Sequence, residues 1–281
     1  MRIGRYEVHA LDVGRFALDG GAMFGVVPRP LWQKTNPPDE RNRINMATRP
    51  LLLVGDSRAL LVDTGNGSKF SQKLAEIYRL EAPADAMSAA LARHGLTPAD
   101  ITDVILTHLH FDHAGGSTVR TAGGIIPAFP NARYVVQRDH WQAACNPTER
   151  DRASFFADDF LPLREAGVLE FTDGEGELFP GIRLRLFHGH TRAMQVPLIS
   201  DGDASLLYCA DLVPMAPHVQ LPWIMGYDLR PLVTLEEKRA TLTAAAEEGW
   251  TLALEHDPAV EAVTVTRNEK GFAIERSVSL G

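Results

Sequence analysis

The feature that most constrains this chain is the stretch Thr107-His108-Leu109-His110-Phe111-Asp112-His113. Three imidazoles and a carboxylate fall directly after the apolar run Val104-Ile105-Leu106. A short apolar run bounded by polar residues reads as a buried strand, so the cluster stands where the backbone leaves a sheet. Alternation along an extended chain puts His108, His110 and Asp112 on one side and turns His113 away. Four donors in that arrangement cannot all reach one small ion, but they can serve two ions side by side. Imidazole with carboxylate suits zinc, manganese, iron or cobalt. The competing reading is a polar loop that happens to be rich in histidine. The density of donors at this spacing favours metal binding instead.

At 281 residues the chain is long enough to bury a sizeable core. Its net charge of −8 argues against a general nucleic-acid or anionic-membrane binder, since neither is drawn to an acidic surface. Met1 to Phe16 has scattered charges and no apolar stretch, so no signal peptide is expected. No apolar run reaches membrane-spanning length. Two cysteines, Cys145 and Cys209, give no disulfide framework, which fits a reducing cytoplasm.

Leu51-Leu52-Leu53-Val54 and Ala59-Leu60-Leu61-Val62 flank Gly55-Asp56-Ser57-Arg58, a hairpin signature. Asp63-Thr64-Gly65 follows. A carboxylate directly after an apolar strand needs a partner, so Asp63 is either a turn former or the orienter of a metal-bound histidine. Gly20 to Trp32 is apolar yet broken by glycine and proline, which predicts neither helix nor regular strand. It reads as a buried connection or as an irregular pocket wall. Lys34 to Arg43 predicts an exposed loop. Asp85 to His94 predicts a helix stopped by Gly95, and Thr97-Pro98 one further turn.

Gly115-Gly116 to Pro130 reads as loop, Tyr134-Val135-Val136 as a strand and Asp139 to Cys145 as a helix. Phe155, Phe156, Phe160 and Leu161 belong to an amphipathic helix or to a lid over the site. The alternating Ile182 to Leu186 delivers Phe187-His188-Gly189-His190-Thr191, and Leu206 to Ala210 ends on Asp211. Thr234-Leu235-Glu236-Glu237 predicts a capping box opening a helix that runs to Glu248. Trp250 to Leu254 is the next strand, ending at Glu255-His256-Asp257. Val263 to Ser279 predicts a closing hairpin that turns near Asn268 to Gly271. Strands and helices alternate, which predicts an α/β layered architecture.

One pattern recurs. Short apolar strands end in a candidate ligand at Asp63, His108, His190, Asp211 and His256, and ligand sites of layered α/β proteins gather at strand ends. The order Thr-His-Leu-His-Phe-Asp-His, Gly-His-Thr, strand-terminal Asp and strand-terminal His, preceded by Asp63-Thr64-Gly65, resembles the metallo-β-lactamase superfamily over residues 59–257. The resemblance implies an αβ/βα four-layer sandwich: two facing mixed β-sheets with helices outside, as a single domain over residues 1–281. It implies that one ion takes His108, His110 and His190, that a second takes Asp112, His113 and His256, and that Asp211 bridges them beside a shared hydroxide. No cysteine holds a ligand position, unlike the lactamases that use one. His188 is not needed as a ligand and reads as support for the centre or as structural.

Within that superfamily, Gly20 to Trp32, Trp223 and Tyr227-Asp228 resemble the branch of quorum-quenching N-acyl homoserine lactonases and related organophosphate hydrolases. Lactonases of that branch carry a substrate-orienting tyrosine three residues after the bridging aspartate, a position held here by Pro214. Tyr227 and His218 are the candidate replacements. The branch also implies a homodimer. Residues 1–50 would be an N-terminal extension lining the pocket or the dimer interface.

These readings converge on a metal-dependent hydrolase with two divalent ions, zinc first, with manganese, iron and cobalt as alternatives. Such a pair ionises a water at neutral pH. The expected reaction is hydroxide attack on an ester-like carbonyl, with one ion polarising the carbonyl oxygen and the other stabilising the leaving alkoxide. Asp112 holds its ion and passes a proton to the leaving group. The expected substrate is a small molecule with an apolar chain, a lactone such as an N-acyl homoserine lactone. Met23, Phe24, Trp32, Trp141 and Trp223, with His218 and Tyr227, are the candidate pocket residues, although a large apolar residue is more often core. A phosphotriesterase, arylesterase or thioesterase shares the site, because the ions stabilise carbonyl and phosphoryl oxyanions alike. An iron redox enzyme on the same fold is disfavoured by the complete His and Asp set. A metal-binding protein without turnover is the remaining rival, and the acidic balance disfavours a nucleic-acid phosphodiesterase.

Overall fold

The computed structural model describes residues 1–269 and 271–281. Its strands are β1 (Arg2–Ile3), β2 (Tyr6–Ala10), β3 (Gly14–Asp19), β4 (Arg43–Thr48), β5 (Leu51–Gly55), β6 (Arg58–Val62), β7 (Asp103–Ile105), β8 (Thr118–Thr121) and β9 (Gly124–Pro127). They continue with β10 (Arg133–Gln137), β11 (Leu169–Thr172), β12 (Gly176–Phe179), β13 (Ile182–Phe187), β14 (Met194–Ser200), β15 (Ser205–Tyr208), β16 (Thr251–Ala253), β17 (Ala262–Asn268) and β18 (Gly271–Val278). Among the described residues there are two seven-stranded sheets, ordered β1-β2-β5-β6-β7-β10-β11 and β12-β13-β14-β15-β16-β17-β18. Both are mixed. Strands β6, β7, β10 and β11 run parallel in the first, and β15 and β16 in the second.

The hairpin β5–β6 shows why the sheets stack. Leu51, Leu53, Leu60 and Val62 pack into a core shared with Ile182, Leu184, Met194 and Val196 of the second sheet. Leu52, Ala59 and Leu61 pack the other way, with Ala90 and Leu91 of helix Ala86–Ala92 and Phe160 and Leu163 of helix Ala157–Glu165. Alternate residues leave a strand on opposite faces, so an unbroken apolar run is what a strand covered on both sides requires. Helix Pro231–Glu248 packs on β17 of the second sheet. The layers are therefore helix, sheet, sheet, helix. Gln195 of β14 ties the two sheets: its Nε2 donates to Leu106 O at 2.9 Å and Val135 O at 3.0 Å, and its Oε1 accepts from Thr172 Oγ1 at 2.8 Å.

Asp56 and Ser57 turn the first hairpin with φ of 54° and 59°, the left-handed pair of a two-residue turn. The closing hairpin is β17–β18, and the Lys270 of its expected turn lies outside the described residues. Several expectations are corrected. Gly20 to Trp32 is helical in two short pieces, Gly20–Phe24 and Arg29–Trp32. Asp19 Oδ1 caps the first by accepting Ala22 N–H at 2.8 Å, and Pro30 sits in the first turn of the second, where its missing N–H costs nothing. The stretch from Gly115 to Pro130 contains the hairpin β8–β9. β4, which follows the Lys34 loop, was not anticipated. The helix expected to open at Thr234 starts at Pro231 instead, so Thr234 lies a turn inside it and Glu237 is free to reach elsewhere. Among the described residues no helix is long and apolar enough to cross a membrane.

Lys238 of the same helix is buried and donates to Gln220 O at 3.0 Å and Trp223 O at 2.7 Å. Burial pulls its pKa down to about 7. An unfolded lysine keeps its proton to about pH 10.4. Between those values the unfolded chain holds more protons, so this residue's contribution to stability rises with pH and is lost as pH falls through about 7. Urea unfolding should show wild type gaining stability relative to Lys238→Met as pH climbs from about 7.5 to about 10. A difference that does not change with pH would mean that the buried amine stays charged throughout.

Candidate metal centre and cavity

Five candidate residues stand just past the C-terminal ends of five strands: Asp63 after β6, His108 after β7, His190 after β13, Asp211 after β15 and His256 after β16. Parallel neighbours bring such ends to one edge of a sheet, and stacking the two sheets brings the two edges together. Side chains that could hold a metal ion gather into a first group, His108, His110, His190 and Asp211, and a second, Asp112, His113 and His256, with Asp63, His113 and Glu255 forming a third.

The chain does not stay extended through the histidine stretch. Extension ends at His110, and Phe111–Ala114 forms one helical turn. His113, expected to turn away, therefore faces the cluster. Its Nε2 lies 3.2 Å from His256 Nε2 and 3.5 Å from Asp211 Oδ1. The turn is held by Thr64, whose N–H and Oγ1 donate to His113 O at 2.7 and 2.9 Å. Glycine at 116 permits this approach: a Cβ there would stand 2.2 Å from Thr64 O.

In the first group His110 Nδ1 is 3.1 Å from His108 Nε2 and 3.2 Å from His190 Nε2, and Asp211 Oδ2 is 2.9 Å from His190 Nε2. In the second, His256 Nε2 is 3.3 Å from Asp211 Oδ1 and 3.7 Å from Asp112 Oδ2. Asp211 thus turns one carboxylate oxygen to each of these two groups.

The far side of four of the five rings is anchored, which aims the near nitrogen inward, whereas His110 Nε2 has no hydrogen-bond partner among the described residues. His190 Nδ1 meets Asp228 Oδ1 at 2.8 Å, His256 Nδ1 meets Ala47 O at 3.0 Å, and His108 Nδ1 meets Thr107 Oγ1 at 3.0 Å. His113 Nδ1 lies 2.9 Å from Asp63 Oδ2 and 2.8 Å from Glu255 Oε2. Asp63 also accepts from the Thr107 N–H and hydroxyl, both at 2.7 Å. His188 does not reach the cluster; its Nδ1 accepts Ala193 N–H at 3.3 Å and closes the loop before β14.

Sequence reasoning missed several supports. His140 accepts Leu109 N–H on Nε2 at 2.8 Å and donates Nδ1–H to Arg192 O at 2.7 Å, and burial pulls its pKa down to about 4, so the ring is neutral. Arg49 donates to Leu254 O and Asp257 O at 2.9 and 2.7 Å and fixes the turn that carries His256. Glu237 accepts His188 N–H and Gly189 N–H at 2.7 and 3.0 Å. Only Glu237 carried a signal, and it was read as a helix cap.

Burial favours the neutral imidazole throughout. It holds His108 and His110 well below the ordinary histidine range, with lone pairs ready to donate. At His190 burial is outweighed by Asp211 and Asp228, which push the pKa up to about 10, and at His256 by Asp211 and Glu255, up to about 9. Burial and then Glu255 raise Asp63 to about 7. Metal binding to such a cluster displaces protons.

The cluster opens into a cavity of about 430 Å³. Leu18, Met23, Met46, Phe111, Met225 and Leu229 give it apolar walls, and Tyr78, Arg150 and Tyr227 add polar groups. Of the expected pocket residues, Met23 and Tyr227 are on the wall. Phe24, Trp32, His218 and Trp223 stand behind it: Phe24 stacks on Trp32 and on His218, with Trp223 at its edge, and His218 Nε2 donates to Met23 O at 2.9 Å. Trp141 is elsewhere, packed on Phe160 and Phe171 under the first sheet. Its helix covers that sheet and never turns towards the cavity. The Phe155–Phe156 pair serves as wall support, with Phe155 against the His110 ring and Phe156 stacked on Phe111.

Asp228 orients His190 without belonging to either group. Asp228→Ala should therefore weaken zinc binding about 10- to 100-fold, read by competition with a chromogenic chelator. Unchanged affinity in a folded variant would show that His190 needs no such partner.

The family model for the Metallo-beta-lactamase superfamily matches residues 48–256. The N-acyl homoserine lactonase of Bacillus cereus is 30% identical over 175 residues, 59% of this chain and 63% of that protein, so the chain spans less than two thirds of that relative's length. Among solved structures, a probable metal-dependent hydrolase from Staphylococcus aureus superposes with a TM-score of 0.89 at 31% identity, covering 99% of this chain and 98% of the other. AidC, a dizinc quorum-quenching lactonase, shares the fold with a TM-score of 0.79 at 22% identity, covering 98% and 95%. The strand-end cluster, the paired mixed sheets and these matches together place this chain in the metallo-β-lactamase superfamily.

Proposed function

We propose that this protein is a metal-dependent hydrolase that opens lactones, N-acyl homoserine lactones foremost, at a centre of two divalent ions. The observation that carries this reading is Asp211, which turns one oxygen to each of two donor groups at the floor of an apolar-walled cavity.

The residues present fit the ions. Tetrahedral binding at about 2.0–2.1 Å sets neighbouring donor atoms about 3.3 Å apart, and the donors here lie 2.9–3.7 Å apart. Asp63, Asp112, Asp211 and Glu255 are all buried, and among the described residues their side-chain ion-pair partners are histidines, not lysine or arginine. Buried charge must be compensated, and four carboxylates balance two divalent cations. His108, His110 and His190 would hold one ion and Asp112, His113 and His256 the other, with Asp211 shared. Donors of this kind, without thiolate, suit zinc and also accept manganese, iron or cobalt.

When bound, the ions supply Lewis acidity and ionise a water at neutral pH. Asp112 lines the cavity and is buried among the donors, so it can hold a proton and deliver it to the ring oxygen as that oxygen leaves. Water adds across the ester C–O bond: its oxygen goes to the acyl carbon and its proton to the freed alkoxide. Tyr227 presents its side chain on the cavity wall, whereas His218 is buried and committed to Met23 O, so Tyr227 is the group that can orient the substrate carbonyl. The apolar wall receives the acyl chain and keeps bulk water out. Val26 and Leu31, exposed on the N-terminal segment that also supplies Met23 to the wall, support a homodimer, and free Cys145 and Cys209 fit a cytoplasmic setting.

In a pH-stat assay, the zinc-loaded protein should open N-acyl homoserine lactones of short and long chain, stop on chelation and recover when zinc is restored. Asp112→Asn, with metal content verified, should lower kcat about 10²- to 10⁴-fold; a rate near wild type would remove Asp112 from this role. A metal-loaded wild type that opens no lactone would overturn the reading and turn the search to phosphotriesters and aryl esters.

A further inference from the structure

Glu255 is fully buried just past the end of β16, and among the described residues neither of its oxygens accepts a well-formed hydrogen bond. Its Oε2 nevertheless stands 2.8 Å from His113 Nδ1. That nitrogen carries at most one N–H, and Asp63 Oδ2 accepts it at 2.9 Å. Asp63 is itself held by the Thr107 N–H and hydroxyl. Asp63 is therefore enough to orient the ring, and what Glu255 adds is a second negative charge. The Tyr208 hydroxyl is directed at Arg49 O, at 3.4 Å. Burial and then Glu255 hold that phenol well above its ordinary pKa, so it stays neutral and adds no compensating charge.

The next residue meets the same ring from its other side, with His256 Nε2 3.2 Å from His113 Nε2. Two consecutive residues of one strand end thus bracket His113, one at each nitrogen. Charge is spread unevenly over the centre. The second group contains Asp112 and has Asp63 and Glu255 behind His113. The first is built on three imidazoles, with Asp228 behind His190, and Asp211 is shared. The field follows the geometry. Burial works against a charged His113, yet Glu255, followed by Asp211 and Asp112, raises it well above the ordinary histidine range. Glu255 acts on Asp112 and His256 as well. The charges that act most on His108, His110 and His190 are neighbouring histidines, Asp211 and Asp228. An anion behind an imidazole makes its far nitrogen a stronger donor to a cation, and a buried anion is itself stabilised by that cation.

We propose that Glu255 is a positioning residue that acts through His113 and makes the second group the tighter of the two ion sites, so that the pair loads from that side. This rests on the two-ion reading above. The probe is zinc, titrated into the metal-free protein against a chromogenic chelator. Wild type should bind two ions in two steps. Zinc supplied at one equivalent should appear, by anomalous diffraction, among Asp112, His113 and His256. Glu255→Gln keeps the shape and removes the charge. It should weaken the tight step about 10- to 100-fold and leave the weak step alone. Two backgrounds assign the steps. Glu255→Gln should have its full effect beside His190→Ala, which spares the second group, and none beside His256→Ala, which leaves His108, His110, His190 and Asp211 in place.

Unchanged zinc affinity in folded Glu255→Gln would overturn the proposal. So would an equal loss at both steps, because that is what a side chain that merely fills space produces. If the variants fail to fold, diffraction from wild type at one equivalent decides: zinc found among His108, His110 and His190 overturns the proposal. These outcomes leave the two-ion centre intact. A wild type that binds fewer than two ions would remove that reading and this proposal together.

Discussion

Four carboxylates, Asp63, Asp112, Asp211 and Glu255, are buried together with five histidines, and much of the structure answers to that concentration of charge. An ionised carboxylate away from water costs far more than one hydrogen bond returns. Two cations of charge two would balance the four, and the donor atoms are spaced as such ions need. Hydrogen bonds behind His108, His113, His190 and His256 fix that spacing.

Much of the molecule serves that purpose. The ends of β6 and β7 and of β13, β15 and β16 deliver donors or their anchors from two different sheets, and Gln195 ties those sheets close to the site. Helix Pro231–Glu248 packs so closely on the Gly-His-Thr loop that a Cβ at Gly189 would stand 2.3 Å from Thr234 Oγ1. From the same helix Glu237 grips the backbone before His190, and Lys238 grips the segment that leads to Asp228. Arg49 does the equivalent for the turn around His256. The candidate ligands span residues 108–256, so the centre exists only once long-range packing is complete. Ions that bind this folded arrangement alone would stabilise it by mass action.

What was legible in the chain was local. The β5–β6 hairpin, the helix stopped by Gly95, the strand before the histidine stretch and the closing hairpin each rest on residues next to one another. What was misread had competing local meanings. Thr234 to Glu237 has the spacing of a capping box, but Pro231 had already begun the helix, and Glu237 bonds to a distant loop. His113 was assigned by strand alternation, which fails because Thr64, from another strand end, holds the backbone in a helical turn. Trp141 and Met23 were equally plausible pocket residues, and only the path of their helices separates them. His140 gave no signal at all, since its partner, Leu109 N–H, is remote in sequence.

The sequence by itself determined the layered α/β class, through apolar runs at strand spacing, and the donor inventory, through histidines and aspartates placed just after those runs. These follow from bonded neighbours and the two-residue period of a strand. Only the tertiary structure decided which oxygen of Asp211 meets which histidine, which aromatic residues stand behind the wall and not on it, and that Arg150 reaches the cavity. Those outcomes depend on distances of a few ångströms between segments up to some two hundred residues apart. Such distances are set by how two sheets and their helices pack, and no local pattern encodes them.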